Sequence, residues 1–345
     1  MVAINLSELG DQIRQQYSNV TSYVVPTTDL ALTENGKLST GKNEYLLTAE
    51  GRQNLAQKSC SPVDFFCRLD TDVQAVLFNR LFKQQIDKCK LPIDLRIYLN
   101  QHNQFVGLDK PGLLRIRPIK LIELLENSLP KNFPPEKVGI GQANLLPTRI
   151  QISCFSPQIT TEPREGDILN GGVDILHHTC GDVGTQVHCY LRRLVCENGS
   201  IAHLCGENRQ LRARRLNNGR FDEDDMYEQI SRLLQEAWTQ VGEKLEAVKR
   251  LTEKERVSPE FLQQQRTRFS LNEGIISAIE LAIRDDELGE TGTQFDLFNA
   301  ISRVATHRET LTFRQRRMLS RMAGEVSQQD AHRCESCGNW IIREN

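Results

Sequence analysis

The chain has 345 residues, a formal net charge of −2, 39% hydrophobic and 26% charged residues. That length supports a well-buried core in one large domain or two, and the composition excludes a chain that stays disordered. Near-neutral charge excludes coating of nucleic acid by bulk charge, so a polyanion site would have to be a local patch.

The N-terminal MVAINLSELGDQIRQQYSNV has no basic start followed by an apolar run. No stretch approaches the about 18 apolar residues of a membrane span. The expectation is a cytoplasmic protein without a membrane segment, whose ten cysteines are mostly reduced, buried thiols.

Residues 3–17 suit a short helix. TSYVVPTTDLAL and NEYLLTAEGRQNLAQK read as a strand, a turn at Asn35-Gly36 and a helix capped by Thr48. Between Pro62 and Lys88, apolar residues at 73, 76, 77 and 81 have one-face helical spacing, which predicts that this face meets a core. LRIYLN and QFVGLD read as strands around His102-Asn103, and PIKLIELLENSL as a helix with Pro118 in its first turn. Gly139-Ile-Gly141 and Gly171-Gly172 read as turns.

TRIQISCF (148–155), GGVDILHH (171–178), TQVHCYLRRLVC (185–196) and SIAHLC (200–205) alternate or are rich in β-formers, predicting an antiparallel sheet. Asn198-Gly199 joins the last two as a hairpin signal, both residues tolerating positive φ. Past Arg220 the pattern turns helical, and the acids at 222–225 complement the dipole of the first helix. The fold class expected is α+β. Its parts are a domain over 1–220 with a central antiparallel sheet, a helical region over 221–325, and a short Cys-x-x-Cys tail over 326–345.

In a strand over 186–196, Arg193 shares a face with Val187, Cys189, Leu191 and Val195, and Arg192 with His188, Tyr190 and Leu194. One arginine is expected as an ion-paired strut and the other as a phosphate contact; alternation does not say which. Residues 190–220 hold seven arginines against two acids, residues 110–120 four cations and no acid, and residues 303–322 six arginines against Glu309. Arginine forks match phosphate oxygens, so the clusters nominate Arg192, Arg193, Arg209, Arg212, Arg214, Arg215, Arg115, Arg117, Lys120, Arg314, Arg317 and Arg321 for nucleic-acid binding. Tyr190 and Phe105 are candidates for stacking on bases.

HRCESCGNW ends in the outline of a zinc knuckle, with Cys334 and Cys337 as ligands and His332 as a third; a tetrahedral site needs a fourth. Asp174, His177, His178, Cys180 and Asp182 form a second polar concentration, but adjacent strand histidines face opposite sides and do not readily share an ion. Phosphate-loop, zinc-protease, nucleophile-elbow and dinucleotide motifs are absent from the sequence, pointing away from an ATPase or a protease.

Leu191–Gly199 resembles the apolar-Arg-apolar-Val-Cys-polar-Asn block of a family encoded by phages and plasmids, catalogued as domain of unknown function 932. YLLTAEGRQNLAQKSCSP, through Gln53, Leu55 and Pro62, is similar to that family's early block. GTQFDLFNAISRVATH, through Gly292, Thr293, Phe295, Asn299, Ala300 and His307, is similar to its late block. The resemblance spans about residues 45–310 and implies a mobile-element or DNA-metabolism setting without a chemistry. A sheet followed by helices is also similar, at fold level, to ring-forming single-strand annealing proteins of the Rad fifty-two type, which implies a homo-oligomer.

The leading expectation is therefore a non-catalytic protein that binds and anneals single-stranded DNA. A metal-dependent nuclease using the Asp174–Asp182 region, with Asp174 and His178, is the alternative from another class. A scaffold or phage-defence component that binds a protein through its C-terminal helices is the third.

Overall fold

The computed structural model describes residues 4–17, 21–88, 94–110, 116–146, 149–178, 185–193, 200–204, 223–253, 266–269, 271–285, 293–328, 330–333 and 340–343. The fold is α+β with a helical C-terminal part. Its centre is an antiparallel five-stranded sheet in the order β11-β10-β9-β8-β7. The strands are β7 (Gly139–Leu146), β8 (Arg149–Arg164), β9 (Asp167–His178), β10 (Gln186–Arg193) and β11 (Ser200–Leu204).

Period-two alternation gives this sheet two unlike faces. Ile150, Ile152 and Cys154 of β8, Val173 and Ile175 of β9, and Val187, Cys189 and Leu191 of β10 point one way and are buried. Helix α6 (Glu223–Arg250) crosses β8, β9 and β10 on that side. Met226, Ile230, Leu234, Trp238, Val241, Leu245 and Val248, three to four residues apart, make its buried stripe. Helix α1 (Leu6–Tyr17) contacts α5 (Pro118–Ser128), and α5 contacts α6. Asn5 and Glu8 cap α1 reciprocally, each side chain accepting from the other's backbone N–H at 2.9 and 3.1 Å.

Three more helices share this core: α7 (Glu273–Asp285), α8 (Gln294–His307) and α9 (Phe313–Gln328). Helix α8 is buried almost all round between Gln294 and Ala305, which explains its apolar residues on every face. Thr293 and Asp296 close a capping box at its start, and Arg164 of β8 grips both, 2.6 Å from Asp296 Oδ1 and 2.9 Å from Thr293 Oγ1. Arg316 of α9 donates to the carbonyls of Ala305, Thr306 and Arg308, closing the other end of α8. Side chains on both sides of residue 220, where strands give way to helices, thus belong to one hydrophobic cluster.

A second cluster draws on Val25 through Leu108. It contains the sheet β1-β5-β6, made of β1 (Thr21–Pro26), β5 (Asp94–Leu99) and β6 (Phe105–Asp109). A small sheet of β2 (Ala31–Leu32), β3 (Lys37–Ser39) and β4 (Glu44–Leu46) adjoins it, with α2 (Ala49–Lys58), α3 (Val63–Arg68) and α4 (Thr71–Asp87). Thr48 caps α2, its hydroxyl accepting from Gly51 N at 3.0 Å. The turns at Gly36 (φ 71°) and Asn103 (φ 58°) stand where the sequence puts them.

Two expectations are corrected. Residues 62–88 form two helices, and α4 buries Gln74, Ala75, Phe78 and Phe82, while Val73 and Val76 are exposed. The two phenylalanines have more apolar surface to remove from water than the valines, and they set the helix rotation. Gly139, Gly141, Gly171 and Gly172 lie in strands rather than turns. Asn198-Gly199 lies outside the described residues, while the strands on either side of it pair as expected, Arg193 opposite Ser200.

At Gly172 the carbonyl of Cys154 on β8 occupies the place a Cβ would take. Gly242, exposed on α6, has nothing within 4 Å of that place. Urea denaturation should therefore show Gly172→Ala destabilising by about 1–3 kcal/mol or more through overpacking. Gly242→Ala should stabilise by about 0.5–1 kcal/mol through helix propensity.

Candidate functional site

The other face of the five-stranded sheet is polar. It carries Arg149, Gln151, Ser153 and Phe155 of β8, Gly172 and Asp174 of β9, and Gln186, His188, Tyr190 and Arg192 of β10. Most of these side chains are withdrawn from solvent: Ser153, Asp174 and Tyr190 are 0% exposed and Gln151 is 2% exposed.

Curvature explains part of this burial. Tyr190, Gly172, Phe155 and Gly139 stand opposite one another in a row across β10, β9, β8 and β7. Large and small residues alternate, and the Phe155 ring lies against Gly139, while at Gly172 the β8 backbone of Cys154 and Phe155 comes close. The Tyr190 hydroxyl reaches the backbone of Gly141 on β7, three strands away. In a flat sheet three strand spacings amount to about 14 Å, beyond the reach of a tyrosine. The sheet is therefore curled, with its polar face inside the curl. Gly141 sits at a register shift between Ile140 and Gln142, the kind of bulge that bends a strand.

At the centre of the concave face lies Asp174. Its Oδ1 accepts from Ser153 Oγ at 2.6 Å and Gln151 Nε2 at 3.1 Å, and its Oδ2 pairs with Arg317 Nη1 at 3.0 Å. Arg317 projects from α9 and also donates to Gln186 Oε1 at 3.2 Å. A carboxylate this deep is tolerable because charge-assisted donors hold both its oxygens. Arg149 stands near Arg317; burial first, and the Arg317 charge second, lower its basicity.

The paired arginines of β10 divide as alternation requires. Arg193 is the strut: Nε and Nη2 make a bidentate bridge to Asp167 at 2.6 and 2.8 Å, on the helix-covered side. Arg192 is on the concave side, half-buried, its guanidinium carbon 4.4 Å from the centre of the Phe155 ring. Among the described residues no carboxylate pairs with it. Burial also holds the Tyr190 phenol well above its ordinary pKa, and its hydroxyl makes no hydrogen bond among the described residues.

Other nominated cations are scattered. Arg117 is exposed at the start of α5, and Lys120 pairs with Glu123 at 2.9 Å and lies over the Tyr227 ring. Arg321 pairs with Glu325 along α9 at 3.0 Å. Arg115, Arg209, Arg212, Arg214 and Arg215 lie outside the described residues, as do Cys334 and Cys337; so do the side chains of Arg314 and His332. The expected stacking residues are closed off from bases: Phe105 and Tyr190 are both 0% exposed, because each fills space inside its sheet's packing.

Of the polar concentration around residue 174, Asp174 and His178 alternate onto the concave face and His177 onto the other. His177 faces away from Asp174; its Nε2–H donates to the Ile116 carbonyl at 3.1 Å and its Nδ1 lies 3.1 Å from Thr185 Oγ1. Among the described residues no group of three or more His, Cys, Asp or Glu side chains is placed to hold a metal ion. Cys180 and Asp182 lie outside them. No helix among the described residues is long and apolar enough to cross a membrane.

Sequence reasoning missed the hub made by Ser153, Gln151 and Arg317 around Asp174. The signal was present: Gln151 and Ser153 at alternate positions of one run, and Asp174 in another, each a polar residue among strand-forming apolar neighbours. The chain matches no protein-family model, and comparison with curated proteins and with solved structures found no match.

Asp174→Ala removes the acceptor shared by three donors and leaves the Arg317 cation, 17% exposed, without this carboxylate. Chemical denaturation should show a loss of about 3–5 kcal/mol. The Asp174→Ala, Arg317→Met double variant should recover part of it, the sign of a coupled pair.

Proposed function

We propose that this protein binds single-stranded DNA without cleaving it, as a homo-oligomer that anneals strands in recombination or in the biology of phages and plasmids. The observation that carries the reading is Arg192, a half-buried cation on a concave sheet face with no carboxylate partner among the described residues. Burying a charge is costly without a counter-charge, and a backbone phosphate supplies one.

The surroundings agree with a strand lying along the curl. Arg317 and Arg149 stand at the end of the concave face near Gln186, and Arg192 stands six residues further along β10. Six residues of strand cover about 20 Å, room for several nucleotides. Edge strand β11, paired to β10, leads directly into the sequence that carries Arg209, Arg212, Arg214 and Arg215. The setting rests on the likeness of three sequence blocks to the phage and plasmid family. Zinc in the tail belongs to the same proposal: strands β12 (Asp330–Arg333) and β13 (Trp340–Arg343) pair with Arg333 opposite Trp340, closing the segment that contains Cys334 and Cys337.

Fluorescence anisotropy with labelled single- and double-stranded DNA and RNA, across a salt series, tests the reading. Single-stranded DNA should bind tightest, with log affinity falling linearly in log salt. The Arg192→Ala, Arg214→Ala, Arg215→Ala triple variant should reduce that slope by about 2, at roughly 0.7 per lost phosphate contact. No binding at low salt would sink it. Metal analysis of the purified chain should find zinc that Cys334→Ser and Cys337→Ser lose; equal content in both variants would remove the tail site.

A further inference from the structure

We infer that Arg192, Tyr190 and the bulge at Gly141 form a phosphate-oxygen subsite on the concave face of the five-stranded sheet. This rests on the nucleic-acid reading and says which atoms of the protein meet the backbone.

Three other arginines that reach this sheet hold carboxylates. Arg193 holds Asp167, Arg317 holds Asp174 and Arg164 holds Asp296. Arg192 instead lies over Phe155, and Phe155 is seated against Gly139, where a side chain would collide with its ring. The ring contact holds the guanidinium in place, and its N–H groups make no hydrogen bond among the described residues, which is preorganisation for a bidentate oxyanion.

Tyr190 supplies the second donor. Its hydroxyl is buried, has no hydrogen-bond partner among the described residues, and lies beside Gly141. An unpaired buried hydroxyl is a standing cost to the fold, and a ligand oxygen would relieve it. Gly141 is exposed, and its missing side chain leaves the room that the hydroxyl occupies. The same glycine falls at the register shift of β7, outside the regular ladder pairs.

These features converge. The Phe155 ring lies at Gly139 and the Tyr190 hydroxyl at Gly141, two residues apart on β7, or about 7 Å. A cation and a neutral donor, on a face whose one buried acid among the described residues, Asp174, is already bound by Arg317, select an anion with several acceptor oxygens. A phosphodiester meets that description, and so does inorganic phosphate.

The test uses the full chain, inorganic phosphate and a labelled oligothymidylate, with Arg192→Gln and Tyr190→Phe as variants and acetate as the carboxylate control. Calorimetric titration should show phosphate affinity falling about tenfold in Arg192→Gln, the loss of one charge-assisted contact, and by a smaller factor in Tyr190→Phe. Tyr190→Phe should keep or gain thermal stability, because it deletes an unpaired hydroxyl; a purely structural tyrosine would not lower phosphate affinity. Phosphate affinity equal in all three proteins, absent in wild type, or matched by acetate overturns the subsite. Loss of phosphate binding in the variants without any oligothymidylate binding by wild type would keep the subsite and refute the nucleic-acid reading. Oligothymidylate binding by wild type with no effect of either variant on either ligand would do the reverse.

Discussion

The curl of the five-stranded sheet is the constraint on which the rest of the molecule depends. One face is aliphatic and meets α6; the other carries Gln151, Ser153, Asp174, His188 and Tyr190, which cannot be set against hydrocarbon without hydrogen bonds. Curling brings polar side chains from neighbouring strands toward one another. The curl in turn needs places without side chains: Gly139 and Gly141 provide them at the Phe155 and Tyr190 rings, and Gly172 where the β8 backbone comes close. Changing one of these glycines acts on the whole row, because each ring is positioned by the gap beneath it.

Arginine is used in this fold as a fastener as much as a surface charge. Arg164 ties β8 to the cap of α8, Arg316 closes the far end of α8, and Arg317 ties α9 to the buried acid of β9. Each guanidinium meets a rigid acceptor set with several N–H groups, which a lysine's point charge could not match. The arginine-rich stretch of 303–322 thus contains residues with opposite duties. Arg316 ties α9 to the end of α8 and Arg317 ties α9 to the sheet, while Arg321 pairs along its own helix with Glu325. Charge density alone does not separate these roles.

Much of the architecture was legible in advance for local reasons. Thr48 caps its helix and Pro118 opens α5, because caps need only residues within one turn. Strands β8 to β11 were readable from alternation. Helix α4 was readable as a helix but not in its rotation, since Val73, Val76, Phe78 and Phe82 offer two overlapping apolar stripes. Strand β7 was hidden by its glycines, which signal turns in isolation and signal close approach once a ring lies above them.

The candidate site divides in the same way. Alternation along Gln186–Arg193 required that Arg192 and Arg193 face opposite sides, and that much the sequence by itself determined, together with the α+β class and the order of strands before helices. Which arginine is the strut depended on Asp167, reached through the β9 register, and the partner of Asp174 came from α9, 143 residues further along the chain. Tyr190 looked like a stacking surface until the curl placed its ring under β7. Local rules fix backbone state and facing within a few residues, whereas ion pairing and burial follow from which distant elements share a face. Only the tertiary structure decides that.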